Sequence, residues 1–365
     1  MRPLRVGLGL ALVGLAAFGG PAAHVALMRR AVVERRRWIE QAEFNRMFAA
    51  CNLIPGPSST ELAMFLGYRL AGWPGLATAA VCFITPALAI MLALAYLYDR
   101  YAAAPLARDL FYGVRPVVVG IVAWAALDLL RHLVKQRALL VAVPAAFALY
   151  VAGVNPVAIL ALAGVAGAFV AAARRTPTAT TLVAALAPHP ERLVPLFLTF
   201  LKIGVISFGS GYVLFAFLNT DFVAGLHWLR PAQLVDAVAL SQVTPGPVFT
   251  VATFLGFLFA GVPGALLASL AIFLPGLALV PLLDRLVRWT ETSRAVRLLL
   301  EVVNAAVIGL VLGVAFELAR TAVVDAVTAA FALAAFAVVW WRPLAAPAAV
   351  ALGAAVGYLH LALIR

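Results

Sequence analysis

The feature that most restricts this chain is an internal repeat whose matching positions are helix breakers. Phe18-Gly19, Trp38 and Pro55-Gly56-Pro57 return as Phe208-Gly209, Trp228 and Pro245-Gly246-Pro247; the offsets 208 − 18, 228 − 38 and 245 − 55 are each 190. From Phe65–Tyr68 and Phe254–Phe257 onward the offset is 189, and it holds for Gly72/Gly261, Pro74/Pro263, Pro86/Pro275 and Gly120/Gly309. A one-residue difference therefore falls between Thr60 and Phe65. Proline and glycine interrupt helices, so the fold must accommodate the same interruptions twice. In a membrane chain, such a repeat marks a transporter built from two halves around one site.

Composition makes it a membrane chain. Residues are 65% hydrophobic and 12% charged, against about 25% charged in soluble domains. The length of 365 residues has room for roughly ten to twelve spans of about 20 residues. No polar stretch is long enough for a separate soluble domain. The net charge of +12 reads first as positive-inside loop charge, without nucleic acid as a partner. An electropositive anion route is a second reading of the same charge. Cys51 and Cys82 lie in apolar segments and are expected as free thiols. The five histidines show no metal-ligand spacing, so neither metal nor cofactor is expected. Residues 4–18 look like a signal-peptide core behind Arg2 and Arg5. Their repeat partner at 194–208, in mid-chain, argues against that reading.

Apolar segments fall near 5–27, 47–70, 74–97, 113–130, 138–152, 156–173, 193–218, 236–260, 262–283, 298–318, 322–341 and 344–363. Breaks inside them must be buried in protein or line a cavity, because unsatisfied backbone groups in lipid are costly. Met28 to Arg46 carries Arg29, Arg30, Arg35, Arg36, Arg37 and Arg46 against Glu34, Glu40 and Glu43. Its partner, Asn219 to Asp236, carries only Arg230 against Asp221 and Asp236. Equivalent loops of opposite charge character belong on opposite sides, the first cytoplasmic and the second external. The expected fold is an all-α polytopic membrane protein with halves 1–180 and 181–365 as an inverted-topology repeat. Its helices are broken or re-entrant at the Pro-Gly-Pro and Phe-Gly-Gly/Phe-Gly-Ser motifs. A hairpin broken at Pro55-Gly56-Pro57 places Arg131, Lys135, Arg137, Arg174 and Arg175 inside, with Arg285, Arg288, Arg294 and Arg297. Arg2 and Arg5 join them only if Gly19-Gly20-Pro21 forms a second broken hairpin, which changes the crossing parity again.

Asn52 to Glu61 (NLIPGPSSTE) is the densest polar group inside an apolar segment, and its counterpart is Gln242 to Thr250 (QVTPGPVFT). Pro-Gly-Pro cannot continue a helix, and Pro57 and Pro247 suit the first turn of a new one. A helix that starts at membrane depth offers free N–H groups and a positive dipole end to an anion. Ser58, Ser59 and Thr60 add hydroxyls, and Thr250 repeats Thr60. One such motif is as well explained by helix shaping alone; two in register, with Asn52 opposite Gln242, favour a site. The breaks Phe18-Gly19-Gly20-Pro21 and Phe208-Gly209-Ser210-Gly211 either face that site or only let helices pack closely. Lys202 lies deep in an apolar run where its partner is Leu12 (202 − 190). It supplies a counter-charge to an anion or snorkels to an interface. Glu61 has no partner in the second copy. It couples transport to a proton, pairs with Arg69, or favours its helix start. Arg115 lines an anion route or snorkels. Asp128/Arg131 and Glu317/Arg320 read as structural pairs, and Gly309/Gly313 and Gly353/Gly357 as packing motifs.

At FGGPAAH with the following MRR…ERRRW, NLIPGPSSTELA, GVISFGSGY and QVTPGPVFT, the sequence resembles the chromate ion transporter family in its fused two-domain form. The resemblance implies an inner-membrane carrier that exports chromate and confers chromate resistance, with sulfate as the close analogue. The family pattern falls on Phe18, Gly19, Gly20, Pro21, His24, Arg29, Asn52, Pro55, Gly56, Pro57, Ser58, Thr60 and Glu61. In the second half it falls on Lys202, Gly204, Phe208, Gly209, Gly211, Gln242, Pro245, Gly246, Pro247 and Thr250. Ala31 stands where relatives often carry an acidic residue. Substrate-binding candidates are therefore Asn52, Pro55 to Thr60, Lys202, Gly209, Gly211, Gln242, Pro245 to Pro247 and Thr250. Glu61, His24 and Arg29 are candidates for coupling or gating. The expected partners are a chromate or sulfate oxyanion and the lipid bilayer of a bacterial inner membrane, with a homodimer left open. An anion channel or importer with the same helix-end site is the competing reading. An intramembrane enzyme is disfavoured, since no HExxH, facing aspartate pair or Cys/His cluster is present.

Overall fold

A computed structural model describes residues 2–16, 21–133, 141–172, 193–208, 211–283, 285, 294–342 and 345–364. In the first half, helices run α1 (Pro3–Ala16), α2 (Pro21–Arg29), α3 (Gln41–Cys51), α4 (Ser58–Tyr101), α5 (Pro105–Leu133), α6 (Ala142–Val151) and α7 (Pro156–Ala172). The second half continues with α8 (Leu193–Ile206), α9 (Leu214–Leu218), α10 (Pro231–Val243), α11 (Val251–Leu279), α12 (Arg294–Ala322), α13 (Ala326–Trp341) and α14 (Ala346–Ile364). Five of the described helices are long and apolar enough to cross a bilayer: Ser58–Tyr101, Pro105–Arg131, Val248–Leu282, Leu298–Ala322 and Ala346–Leu363. The protein is thus an all-α polytopic membrane protein. Helices α1, α2, α5, α7 and α10 each open on proline, whose fixed φ suits the first turn and whose missing N–H would be unpaired there anyway.

The repeat is written in the backbone as well as in the letters. Both copies contain a π-helical turn, Arg30–Arg35 and Asn219–Gly225. Left-handed Arg37 (φ 50°) and His227 (φ 53°) follow them. The Trp38 N–H donates to the Val32 carbonyl at 2.7 Å, and the Trp228 N–H to that of Phe222 at 2.9 Å. Inside α4 the chain turns at Ala71 (φ −148°, ψ 20°) and Gly72 (φ 62°, ψ −153°); inside α11 it turns at Ala260 (φ −150°, ψ 27°) and Gly261 (φ 62°, ψ −153°). That second conformation is essentially confined to glycine. Each turn folds a short limb back on a long one, so closely that a Cβ on Gly67 would meet the Gly75 carbonyl and one on Gly256 that of Gly264.

The turns make hairpins. In the first half α3 runs to Pro55-Gly56-Pro57, and residues 58–70 return beside it, with Arg69 near the end of the return held 2.8 Å from Glu43 near the start. The α1 segment enters from the same end, where the Thr78 hydroxyl donates to the Pro3 carbonyl at 3.1 Å. It ends before residues 17–20, and the chain comes back until Arg36 and Trp38 lie beside Gly9. The second half repeats this. Phe200 and Phe222 face each other at 5.1 Å, joining α8 to the segment that returns from Gly211.

The long limb of α4, residues 73–101, relates the hairpins. It starts at the open end of the first hairpin, just past Arg69. Its far end meets the open end of the second: the Tyr98 hydroxyl donates to Asp236 Oδ2 at 2.7 Å, and Tyr96 lies 6.4 Å from Phe257. Midway, the Thr244 hydroxyl contacts Met91 Sδ at 3.1 Å, and Gly246 lies against Ala87. At about 1.5 Å per residue this limb is roughly 40 Å long. The two hairpins thus open at opposite ends of one helix, and their Pro-Gly-Pro tips point inward.

Around them the halves interleave. Helix α5 packs on α13 and α14, while α12 packs on α6 and α7. The small residues read as packing motifs are the contact points: Gly353 and Gly357 meet Gly113, Gly309 meets Val143 and Ala146, and Gly313 meets the Tyr150 ring. Glu317 and Arg320 form an acidic–arginine pair at 3.5 Å, and Arg131 lies 3.5 Å over the Trp340 ring.

Candidate anion-binding site

Each tip touches the broken first helix of the other half. The Gly56 N–H donates to the Ser207 carbonyl at 2.7 Å, and Gly246 packs against the Gly14 carbonyl and Ala87. Gly56 (φ 130°) and Gly246 (φ 104°) both need positive φ, so the glycine between the prolines is set by backbone geometry. Pro55, Pro57, Pro245 and Pro247 are buried beside them.

The helix that leaves each tip starts differently. In the first half it is α-helical from Ser58; in the second it opens with a 3₁₀ turn, Val248–Thr250. Four α residues and three 3₁₀ residues both rise about 6 Å. The one-residue difference is thereby absorbed without moving the rest of the helix. Ser58, Ser59, Thr60 and Glu61 occupy the first-half turn, where the second half has Val248, Phe249 and Thr250.

Several buried polar atoms near these breaks lack a hydrogen-bond partner among the described residues: Thr60 Oγ1, both Glu61 carboxyl oxygens, Ser207 Oγ and Gln242 Nε2. Glu61 is fully buried, against Gly56 and the Gly276 backbone of α11. Orphaned buried polar groups cost about 1–3 kcal/mol each, so several within a turn or so of two chain breaks suggest a place where a ligand completes the bonding. The described residues hold no cluster of metal-ligating side chains.

The other expected residues separate into groups. His24 is buried, with Nδ1 3.0 Å from the Ser59 hydroxyl and its ring edge-on to Phe83 at 5.9 Å. Asn52 is exposed, whereas its counterpart Gln242 is buried. The Thr250 hydroxyl donates to the Pro247 carbonyl at 2.7 Å, so its proton is already used. Lys202 Nζ pairs with Asp221 Oδ1 at 2.7 Å and lines a separate cleft of about 440 Å³ with Gly153, Asn155 and Thr220. Arg29, half-exposed, pairs with Glu34 at 3.4 Å. Gly211 is buried and starts a 3₁₀ turn; Gly209 lies outside the described residues, as do Phe18, Gly19 and Gly20.

Sequence reasoning missed two things. Ser207 stands in the GVISFGSGY run directly before Phe208, but neither the repeat nor the family pattern marks it. Asp236 counted merely as loop charge. It is buried and receives Arg115 through Nε (2.7 Å) and an Nη (2.9 Å), with the Tyr98 hydroxyl as third donor.

Comparison with known proteins adds the family. The model of the family described as "Chromate transporter" matches residues 4–168 and 194–358, two segments 190 residues apart. The chain is 34% identical to the "Chromate transport protein" of Cupriavidus metallidurans over 97% of this chain and 92% of that one. It is 33% identical to the "Probable chromate transport protein" of Synechococcus elongatus, over 72% and 71% of the two chains. With the "Chromate transport protein" of Pseudomonas aeruginosa it shares 32% identity over 84% and 79%. No solved structure matches.

Proposed function

This chain belongs to the chromate transporter family, and on that premise we propose that it is a secondary transporter exporting chromate across a bacterial inner membrane, so conferring chromate resistance. The observation that carries the site is the set of unpartnered buried atoms on Thr60, Glu61, Ser207 and Gln242 beside two inward-pointing helix breaks. The arginine-rich end faces the cytoplasm, the first hairpin re-enters from there, and the second re-enters from outside. A tetrahedral dianion sits between the tips. It takes hydrogen bonds from the start of the helix at Ser58, from the Thr60 and Ser207 hydroxyls and from the Gln242 amide. Sulfate, equal in shape and charge, uses the same donors.

Glu61 gives the site its coupling. Ionised, the carboxylate repels the dianion at close range; protonated, it becomes a donor. Anion occupancy and proton occupancy are thereby linked in one pocket. Binding at inward-facing helix ends, with access from either hairpin in turn, describes a carrier better than a channel. Radiolabelled chromate uptake into inverted membrane vesicles tests this. Wild-type vesicles should accumulate chromate with saturating kinetics, and Glu61→Gln should lower the rate about tenfold or more while the protein remains inserted. Absence of accumulation by the wild type would overturn export. A rate linear in the driving force would favour the channel, and a Glu61→Gln rate equal to wild type would remove the coupling role.

A further inference from the structure

Where the long limb of α4 meets the open end of the second hairpin lies a cavity of about 620 Å³, lined among others by Tyr98, Asp99, Arg108, Arg115, Arg230 and Asp236. We propose that this cavity is an external release vestibule for the tetrahedral oxyanion, in which Asp236 competes with the anion for the Arg115 guanidinium. The inference rests on the transport reading above but uses a different part of the molecule. A guanidinium presents a planar fork to carboxylates and oxyanions alike. Here that fork is engaged by Asp236 through two short bonds, while the Arg115 side chain remains one-third exposed to the cavity. Asp236 is only 2% exposed. The Tyr98 hydroxyl holds it as well, so it keeps one donor whenever Arg115 turns to an anion. Arg230 gives its Nε to Gln233, and Arg108 is exposed at the rim. Of the charges lining the cavity, three arginines stand against Asp99 and Asp236. With Asp236 engaged by Arg115, the remaining field favours an anion.

The arrangement exists at one end only. At the repeat positions of Arg115 and Asp236 the first half has Asn304 (115 + 189) and Arg46 (236 − 190), which cannot form the same pair. A carrier that releases its anion at one face needs a weak holding site there. A built-in carboxylate competitor supplies that weakness, because each departing anion is replaced on Arg115 by Asp236.

Chromate protection of arginines from phenylglyoxal, read peptide by peptide by mass spectrometry on the detergent-purified full chain, tests the vestibule. Chromate should protect Arg108, with exposed Arg36 at the opposite end as internal control and chloride at matched ionic strength as reference. Asp236→Asn should lower the half-protecting chromate concentration about tenfold, as loss of one charge-assisted competitor implies. Arg115→Gln should raise it by a similar factor. A merely structural Arg115–Asp236 link predicts weaker protection in both variants. That result, or equal protection of Arg108 and Arg36 in the wild type, overturns the proposal. If either variant fails to fold, Arg230→Gln at the same cavity should weaken protection of Arg108 several-fold, and unchanged protection would again count against it. Protection of Arg108 alongside wild-type transport by Thr60→Val would keep the vestibule and remove the tip site; the converse pair of results would do the opposite.

Discussion

The two hairpin tips share a backbone and differ in chemistry. Their turns at Gly72 and Gly261 have the same φ and ψ, and both Pro-Gly-Pro glycines take positive φ. Yet the first helix start carries Ser58, Ser59, Thr60 and Glu61, and the second carries Val248, Phe249 and Thr250. Two of the differences come in matched pairs. His24 bonds Ser59, and the corresponding positions hold Leu214 and Phe249, both apolar and buried. Lys202 bonds Asp221, and the corresponding positions hold Leu12 and Ala31. A buried polar group left alone is costly, so partners are kept or lost together. The comparison teaches that the repeat supplies a common backbone scaffold, while the polar chemistry beside its breaks differs between the copies.

If the scaffold is common, damage to it should be symmetric. At Gly72 and at Gly261 an added Cβ meets only a proline ring carbon 4.0 Å away, so alanine there is opposed by backbone strain rather than by crowding. Gly72→Ala and Gly261→Ala should each destabilise the protein by about 1–3 kcal/mol. Their thermal midpoints in detergent should fall by the same amount. Clearly unequal shifts would break the equivalence of the halves.

Polar divergence should behave as a unit. Lys202→Leu strands Asp221, whose Oδ2 is already unpartnered. With the pair partly exposed, the loss should be about 1–2 kcal/mol, between the values for exposed and buried pairs. Lys202→Leu with Asp221→Ala, which installs the first-half pair, should recover most of it. Additive losses in a double-mutant cycle would mean that the two residues act separately.

Much of this was legible in the sequence, and the illegible part has physical causes. Proline and glycine act locally, so Pro55-Gly56-Pro57 and its copy mark the breaks without knowledge of neighbours. Lys202 could not be assigned from sequence alone, because its partner Asp221 lies one hairpin arm away, where only the fold brings it within 2.7 Å. The interleaving of α5 with α13 and α14 was equally hidden. Small residues such as Gly113 and Gly353 announce close packing but not the partner. Thr60 and Thr250 look equivalent as letters, yet only the latter's hydroxyl is held by a carbonyl, that of Pro247.

That last contrast gives the most direct test of the central claim that both halves frame one site but that their matching hydroxyls, Thr60 and Thr250, contribute to it unequally. Equilibrium binding of radiolabelled chromate to the purified protein should be compared for Thr60→Val and Thr250→Val. Loss of one hydrogen bond to a charged ligand should weaken binding in Thr60→Val by about 1.5–3 kcal/mol, roughly ten- to a hundredfold. Thr250→Val should bind within about twofold of wild type, because its hydroxyl proton is committed to Pro247 and is not offered to the ligand. Equal weakening in both variants, or none in either, would contradict the account.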